Sequence, residues 1–326
     1  MTGAGASFDA EGPAGLIDND IVLPFQIETQ AARGKLVRLG GTMDRILSRR
    51  NYPAPVATLL GELAVLAALV SSALKDEGVL TVQVKGDGPV GMLVADATSS
   101  GDLRAYAAYD GRTLDGMLAG GDAADWRAAP VPRLIGTGYL ALTIDRGPEV
   151  ERYQGIVELS GGSLADCARR HFRESDQNQA VFKLAVAPTG PSGSWRAGGM
   201  MMQRLPDGGR TRLSGEGPDE DLEESWRRAL VLMGSCTPDE LVDARLHPHD
   251  LLYRLFHEDG VRVFEPHALA HGCRCSRHRV EATLRSFPRE EIADLEIDGQ
   301  VIVTCEFCGE RYGFDEDDIE RIYRTN

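Results

Sequence analysis

Four cysteines near the end of the chain are the residues whose type and spacing could carry chemistry. Cys273 and Cys275 form a Cys-x-Cys pair, Cys305 and Cys308 form a Cys-x-x-Cys pair, and 29 residues separate the two. We name them the first pair and the second pair. Each pair could chelate from one turn, and the chain between them could fold back to complete a four-thiolate tetrahedral zinc site. The spacing therefore predicts one zinc ion bound by these four sulfurs.

The first pair also permits redox chemistry. Zinc-bound thiolates are already deprotonated, which is the form that peroxide or hypochlorite attacks. If zinc leaves, Cys273 and Cys275 could close a very small, strained disulfide ring, and strain makes such a bond easy to reduce again. Spacing alone leaves both a structural site and a redox switch open, and it favours the structural site.

Other residues that could bind a metal or react have simpler interpretations. His267, His271 and His278 lie near the four cysteines, but four thiols already complete a tetrahedral site, so we predict surface histidines. Cys167 and Cys236 have no close cysteine partner in the sequence and are predicted to be small buried apolar residues.

Composition limits the class of protein. The chain has 326 residues, a net charge of −15, 42% apolar residues and 26% charged residues, which is typical of a soluble globular protein. An acidic surface repels phosphate, so nucleic acid and anionic membranes are not expected partners. Six cysteines are too few for a disulfide-rich secreted scaffold, and the N-terminus does not resemble a signal peptide. We therefore expect a cytoplasmic protein.

The chain divides into four predicted pieces. Residues 1–19 are predicted to be a disordered tail and residues 20–215 an α+β core. Residues 216–265, with a net charge of −8, form a predicted helical linker, and residues 266–326, with a net charge of −5, form a small zinc-binding module. We name the last two pieces the linker and the cysteine module.

Strand and helix patterns without βαβ alternation predict the α+β class for the core. Residues 20–27 are predicted to be a first strand, residues 36–51 a helix, and residues 56–74 a long apolar helix buried in the core rather than in a membrane. Three alternating apolar runs between residues 80 and 105 predict an antiparallel meander. A Gly-x-Gly-x-x-Gly pattern at Gly86, Gly88 and Gly91 is followed by a strand pattern, so we interpret it as a hairpin turn rather than a dinucleotide site.

The linker sequence predicts short amphipathic helices. Thr237 and Glu240 have the spacing of a capping box, with a proline at the first helical position. Such short helices are marginal alone and need a neighbour to pack against. We expect the downstream cysteine module to be that neighbour, and loss of its fold to release the apolar residues of the linker. The residues predicted to leave their contacts and bind client proteins are Trp226, Leu230, Leu252, Leu255 and Phe256.

The sequence resembles the heat shock protein 33 family of redox-regulated chaperones. The likeness is densest in residues 252–260, 273–281 and 303–309, together with Tyr312 and Phe314, and it extends into the core at residues 84–89, 153–159 and 197–203. The cysteine spacing and its flanks are specific to this family. Cys167 and Cys236 are additional to the four-cysteine pattern.

The resemblance implies an ATP-independent holdase and not an enzyme. It implies that the reduced form binds one Zn²⁺ per chain through Cys273, Cys275, Cys305 and Cys308 and is an inactive monomer. It further implies that oxidation forms the Cys273–Cys275 and Cys305–Cys308 disulfides, releases zinc and unfolds the linker. The result is an active homodimer that binds unfolded or partially unfolded client proteins.

Two alternatives from other classes stay open on the sequence. One is a zinc-ribbon module that binds nucleic acid or a transcription complex, which the negative charge of the cysteine module opposes. The other is a dithiol oxidoreductase that uses Cys305 and Cys308. That chemistry requires a helix directly after the cysteines, whereas the sequence there predicts a turn and a strand.

Overall fold

The computed structural model describes residues 20–28, 32–72, 74, 77–120, 126–175, 179–189, 193–204, 219–297 and 299–324. The predicted tail, residues 1–19, lies outside this set. The strands are β1 (Asp20–Ile27), β2 (Ala32–Leu39), β3 (Val79–Gly86), β4 (Met92–Thr98), β5 (Asp102–Ala108), β6 (Gly138–Asp145), β7 (Tyr153–Glu158), β8 (Ala180–Thr189), β9 (Ser194–Arg204), β10 (Val261–Val263), β11 (His267–Ala268), β12 (Ala270–His271), β13 (Val301–Thr304) and β14 (Arg311–Phe314). The helices are α1 (Gly41–Ser48), α2 (Ala54–Ser71), α3 (Gly111–Ala119), α4 (Leu164–Ser175), α5 (Asp219–Ser235), α6 (Pro238–Val242), α7 (Pro248–Phe256), α8 (Arg277–Arg285), α9 (Arg289–Ala293) and α10 (Glu316–Arg324). The architecture confirms the predicted α+β class.

Two six-stranded sheets and a small hairpin organise the chain. Sheet A has the order β10-β1-β2-β9-β8, with β11 also paired to β1, and sheet B has the order β12-β5-β4-β3-β6-β7. Strands β3, β4 and β5 are consecutive antiparallel neighbours, which confirms the predicted meander. The glycine pattern at residues 86–91 lies at the β3–β4 turn, and β4 follows it rather than a helix. The hairpin interpretation is confirmed.

The predicted helix over residues 36–51 is wrong in its first part. Residues up to Leu39 belong to β2, which is paired with β1 on one side and β9 on the other, and helix α1 begins at Gly41. Leu36 and Val37 are both fully buried, although consecutive residues in a strand face opposite sides. Both faces of sheet A are covered at this point, so the adjacent apolar residues Leu36 and Val37 break the alternation of apolar and polar residues that marks a half-exposed strand.

Helix α2 is the buried centre of the core. It contacts strands of both sheets, including β3, β4, β5, β8 and β9. It is the one helix in the described residues that is long and apolar enough to span a membrane, and 78% of its residues are buried inside the protein. The prediction of a buried core helix is confirmed.

One acidic residue on α2 makes stability depend on pH. Burial raises the pKa of Glu62 to about 8. The folded protein therefore retains a proton that the unfolded chain releases between about pH 4.5 and pH 8. Stability falls as the pH rises through this window, by roughly 1.4 kcal/mol for each unit between the two pKa values.

Glu62→Gln is therefore expected to stabilise the protein at pH 8.5 by a few kcal/mol and to have little effect at pH 4.5. Urea unfolding of the variant and the wild type at the two pH values measures the difference. Glu151→Gln, which changes an exposed carboxylate between β6 and β7, is the control. An equal effect of Glu62→Gln at both pH values would show that Glu62 ionises normally.

In the described residues, the apolar side chains of the linker pack against the core rather than against the cysteine module. The linker's buried apolar side chains form one cluster with residues on the face of sheet A opposite to α2. Phe256 of α7 stacks on Phe25 of β1, with ring centroids 5.7 Å apart. This contact corrects our expectation that the cysteine module supports the linker helices. The capping box of Thr237 and Glu240 is present at the start of α6, as predicted.

Core side chains also bind the linker backbone directly. Arg38, which is 2% exposed, donates hydrogen bonds to the carbonyl oxygens of Asp243 and Leu246 at 2.8 and 3.2 Å. At Gly198 of β9, a Cβ atom would lie 2.1 Å from the carbonyl oxygen of Leu241. A glycine is required here because the linker backbone comes so close to the strand. The linker is thus part of the folded surface of sheet A.

The cysteine module begins inside the core sheets. Strand β11 pairs with β1 of sheet A, and β12 pairs in parallel with β5 of sheet B. Beyond β12, the chain forms helices α8–α10 and the β13–β14 hairpin around a small apolar cluster of its own. Ser276 caps α8 through a hydrogen bond from the backbone of Arg279. The boundary at residue 266 stays a prediction.

Candidate metal centre

Two tight backbone segments hold the four cysteines. The first pair lies in the loop between β12 and α8, and the second pair lies in the turn that joins β13 to β14. In that turn the backbone N–H of Cys305 donates to the carbonyl of Glu310, and the N–H of Gly309 donates back to the carbonyl of Cys305, both at 2.8 Å. Gly309 has a φ of 72°, a left-handed conformation that glycine adopts without steric cost.

The four sulfurs converge to a spacing that suits a tetrahedral metal ion. All four Sγ atoms lie within 4.8 Å of one another. Two of the distances run between the pairs: Cys273 to Cys305 at 3.7 Å and Cys275 to Cys308 at 3.3 Å. Zinc–sulfur bonds of about 2.3 Å place the ligands of a regular tetrahedron about 3.8 Å apart. The donor set and its dimensions therefore fit one zinc ion.

The surroundings shift the pKa values of the thiols in opposite directions. Burial opposes ionisation of Cys273, but hydrogen bonds from its surroundings, including Cys275 and Arg104, hold its pKa below the ordinary value, at about 7. Burial raises the pKa of Cys308 to about 12. The hydroxyl group of Tyr312 donates to Cys275 at 3.2 Å. A divalent ion bound by all four sulfurs would displace the remaining protons, so metal binding should release protons.

The turn of the second pair contacts sheet B. The ring of Phe307, between Cys305 and Cys308, meets the ring of Tyr106 edge to face at 4.9 Å, and the guanidinium of Arg104 lies 3.9 Å from the centroid of Phe307. Arg50 forms an ion pair with Glu306 at 2.9 Å. The candidate metal centre therefore lies at an interface between the cysteine module and the core.

The remaining cysteines and histidines lie outside this cluster. Cys167 and Cys236 are buried, as predicted, and the Cys167 thiol donates to the carbonyl of Ser160 at 3.4 Å. His267 and His278 are exposed, as predicted for surface histidines, whereas His271 is half-buried on β12.

The predicted client-binding residues are also separate from the sulfurs. Trp226, Leu252, Leu255 and Phe256 are buried and Leu230 is half-buried, all against sheet A. The structure therefore brings the four cysteines together and places the apolar linker residues on a different surface.

The structure bears on the oxidoreductase alternative as well. After Cys308 the chain makes a turn and enters β14 at Arg311. A helix directly after the second cysteine, which dithiol oxidoreductases use to lower a thiol pKa, does not follow here.

Sequence reasoning missed the polar residues of the core that surround the sulfurs. Arg104 of β5 reaches to 3.8 Å from the Cys273 sulfur, and it is held by Asp96 of β4. Both are polar residues in strands with one face away from the core, where polar side chains are ordinary. The sequence therefore contained no signal that would distinguish them.

Comparison with known proteins agrees with this arrangement. The chain is 40% identical over 310 residues to the 33 kDa chaperonin of Caulobacter vibrioides (strain NA1000 / CB15N), covering 94% of this chain and 98% of the relative. It is 35% identical over 310 residues to the 33 kDa chaperonin of Pseudomonas fluorescens (strain SBW25), covering 94% and 95%. Both relatives are therefore matched over nearly their whole length.

A solved structure and a family description point in the same direction. The crystal structure of the 33 kDa chaperonin (heat shock protein 33 homolog) from Thermotoga maritima matches with a TM-score of 0.76 and 22% identity, covering 94% of this chain and 98% of that one. That likeness shows a shared fold. The family model described as Hsp33 protein matches residues 20–315. The chain therefore belongs to the Hsp33 protein family.

Proposed function

We propose that this protein is a redox-regulated, ATP-independent holdase that protects unfolding or oxidatively damaged proteins from aggregation. The observation that carries the proposal is the cluster of four thiols at the interface between the cysteine module and the core. The family is a chaperonin family, which agrees with the prediction that the chain is not an enzyme.

In the reduced state, Cys273, Cys275, Cys305 and Cys308 would hold one Zn²⁺ per chain. When bound, zinc would keep the four sulfurs together as thiolates. The Tyr312 hydroxyl and the backbone of the β13–β14 turn orient the sulfurs toward a common centre. The zinc-bound protein would be the inactive monomer.

Oxidation would convert each pair of thiolates into a disulfide. Two thiolates give two electrons to one molecule of hydrogen peroxide, the S–S bond forms as the O–O bond breaks, and two protons complete two molecules of water. Because all four sulfurs lie within 4.8 Å of one another, proximity alone does not select the disulfide partners. Disulfides within Cys273–Cys275 and Cys305–Cys308 are favoured because each closes a short loop. Closing a short loop costs little chain entropy, even after the module has unfolded.

The chain between the linker and the first pair offers a route from the sulfurs to the client-binding residues. Strands β10, β11 and β12 follow the linker helices and end two residues before Cys273. Loss of the folded metal centre would free this segment from β1 and β5, which would weaken the packing of α7 against sheet A. Trp226, Leu230, Leu252, Leu255 and Phe256 would then leave sheet A and expose apolar surface to clients.

The expected partners follow from the same proposal. Unfolded or partially unfolded proteins are the clients, and the oxidised chain acts as a homodimer in the cytoplasm. Neither nucleic acid nor a membrane is an expected partner, because the chain carries a net charge of −15.

Peroxide treatment is expected to turn on suppression of aggregation of a thermally unfolding model protein, and reduction in the presence of zinc to turn it off. Peptide mapping of the active form should find Cys273 linked to Cys275 and Cys305 linked to Cys308. The variant Cys167→Ser with Cys236→Ser is the control, because both thiols are buried outside the cluster. Equal activity in both redox states, or disulfides between the two pairs, would contradict the proposal.

A further inference from the structure

A buried carboxylate joins the first pair to the core. Asp96 of β4 is 4% exposed and accepts a hydrogen bond from the Thr81 hydroxyl at 2.7 Å. It also accepts from Arg104 through Nε and Nη2, at 2.8 and 2.6 Å. Arg274, the residue between the two cysteines of the first pair, donates to the same carboxylate through Nη2 at 2.6 Å. Two guanidinium groups thus share one carboxylate.

This group of three carries an unbalanced charge. Within the group, one negative and two positive charges leave one excess positive charge in a partly buried place, because the side chain of Arg104 is 15% exposed and that of Arg274 is 30% exposed. Asp145 acts electrostatically on Arg274 without forming an ion pair with it, and so offsets this charge only in part. Leaving such a charge without a counter-ion is costly. A negative group close by would stabilise it, and the nearest sulfur is Cys273, 3.8 Å from Nη1 of Arg104.

More arginines surround the sulfur cluster. Arg49 donates to the carbonyl of Cys308 at 2.9 Å, and Arg50 lies 3.4 Å from the carbonyl of Cys305. These cations gather at one place in a chain whose net charge is −15. Four thiolates around one divalent cation carry a net charge of −2, which complements this positive surface.

We propose that Asp96, Arg104 and Arg274 form a latch that positions the cysteine cluster on sheet B and holds it only while the cluster is negatively charged. The proposal rests on the proposed function, because it takes the four cysteines as the zinc ligands. The three residues are positioning residues, since they act through the placement of Cys273 and Cys275.

Oxidation removes the charge that the latch needs. Four thiolates, two hydrogen peroxide molecules and four protons yield two disulfides and four water molecules, and the zinc leaves as Zn²⁺. The sulfur cluster thereby changes from a net charge of −2 to zero. Hydration of Arg104 and Arg274 then competes with their partly buried pairing, because the excess positive charge has lost its counter-charge.

Release of Arg274 would free strand β12, which is adjacent to the first pair. The backbone N–H of Ala270 donates to the carbonyl of Gly101 at 3.0 Å, and that of Gly272 donates to the carbonyl of Leu103 at 3.1 Å. Hydrogen exchange at these two amides therefore reports whether the latch still holds β12 against β5. The amides of Cys305 and Gly309 report separately on the turn of the second pair, because their bonds lie within it.

The variants Arg274→Gln and Arg104→Gln test the latch in the reduced, full-length protein. Both are expected to bind one zinc per chain, because the four thiols are unchanged. Hydrogen exchange at Ala270 and Gly272 should speed up by about tenfold or more, as expected for loss of a charged hydrogen bond, while Cys305 and Gly309 keep their protection. Zinc release by peroxide, followed with a chromogenic chelator, should be faster by a similar factor.

Three controls make the result specific. Arg170→Gln removes an ion pair with Glu174 on α4, which involves no residue of the latch, and should behave as the wild type. Arg274→Lys keeps the charge and should restore part of the protection. Wild-type protein loaded with Cd²⁺ has the same cluster charge and should retain protection at Ala270 and Gly272, whereas oxidised, zinc-free protein should lose it.

The outcomes separate the latch from the function on which it rests. Zinc-loaded Arg274→Gln and Arg104→Gln proteins with wild-type exchange at Ala270 and Gly272 and wild-type zinc release would overturn the latch alone. If the amides of Ala270 and Gly272 stay protected after oxidation of the wild type, the latch does not depend on the charge of the sulfur cluster. A wild-type protein that binds no zinc would refute both the proposed function and the latch.

Discussion

Cys305→Ser is expected to abolish tight zinc binding and to unfold the part of the cysteine module that follows β12. Among the described residues of this module, the apolar cluster has five buried side chains, Leu284, Ile292, Val301, Phe314 and Ile322. So small a core does not maintain a fold by itself. A structural zinc site contributes roughly 10–16 kcal/mol of apparent binding free energy near neutral pH, and the module depends on that contribution.

Metal analysis and amide exchange of the reduced variant measure this effect. The amides of β13 and β14 should lose protection in Cys305→Ser, while those of β3, β4 and β6 keep theirs. Cys236→Ser, which removes a buried thiol outside the cluster, should bind zinc as the wild type does. Stoichiometric zinc bound at wild-type affinity by Cys305→Ser would rule out the four-thiolate site.

Phe256→Ala is expected to detach the linker from sheet A without any oxidant. Phe256 is fully buried and stacks on Phe25, so its truncation removes a large apolar contact and leaves a cavity. Such substitutions typically cost about 3–5 kcal/mol. Short, acidic helices have little stability of their own to offset this loss. The reduced, zinc-bound variant should therefore suppress aggregation as the oxidised wild type does.

The matched control lies on the same helix. Tyr253 of α7 is 65% exposed, and Tyr253→Ala should leave both the linker and the activity of the reduced protein unchanged. Amide exchange should show loss of protection in the described linker residues 219–263 of Phe256→Ala, with β2 and β9 still protected. A protected linker together with wild-type activity in Phe256→Ala would mean that client binding does not require release of the linker.

Local spacing explains why the candidate metal centre could be predicted. Cys273 and Cys275 are two residues apart, and Cys305 and Cys308 are three apart, so each pair can chelate from a single turn in almost any tertiary context. The capping box at Thr237 likewise depends on three consecutive residues after it. Such features can be predicted from the sequence because they depend on neighbouring residues and little on distant ones.

The wrong prediction of a helix at β2 has its origin in contacts between distant parts of the chain. Leu36 and Val37 lie in different apolar clusters, one beneath the linker and the other beside α2. Where both faces of a strand are covered, neighbouring residues can both be apolar, and the run of Leu36, Val37 and Leu39 is then as compatible with a helix as with a strand. The presence of a second covering layer is a tertiary fact, so the sequence of β2 alone could not reveal it.

By itself, the sequence determined the candidate metal centre of four cysteines, the meander, the buried helix α2 and the amphipathic linker helices. These depend on residues within one turn, one strand or one helix. Only the tertiary structure decided that the linker covers sheet A rather than the cysteine module. It alone also decided that Arg274 meets Asp96, 178 residues away along the chain. Contacts of this kind depend on which surfaces the folded layers bring together, and the polar residues that make them have no distinguishing pattern in the sequence.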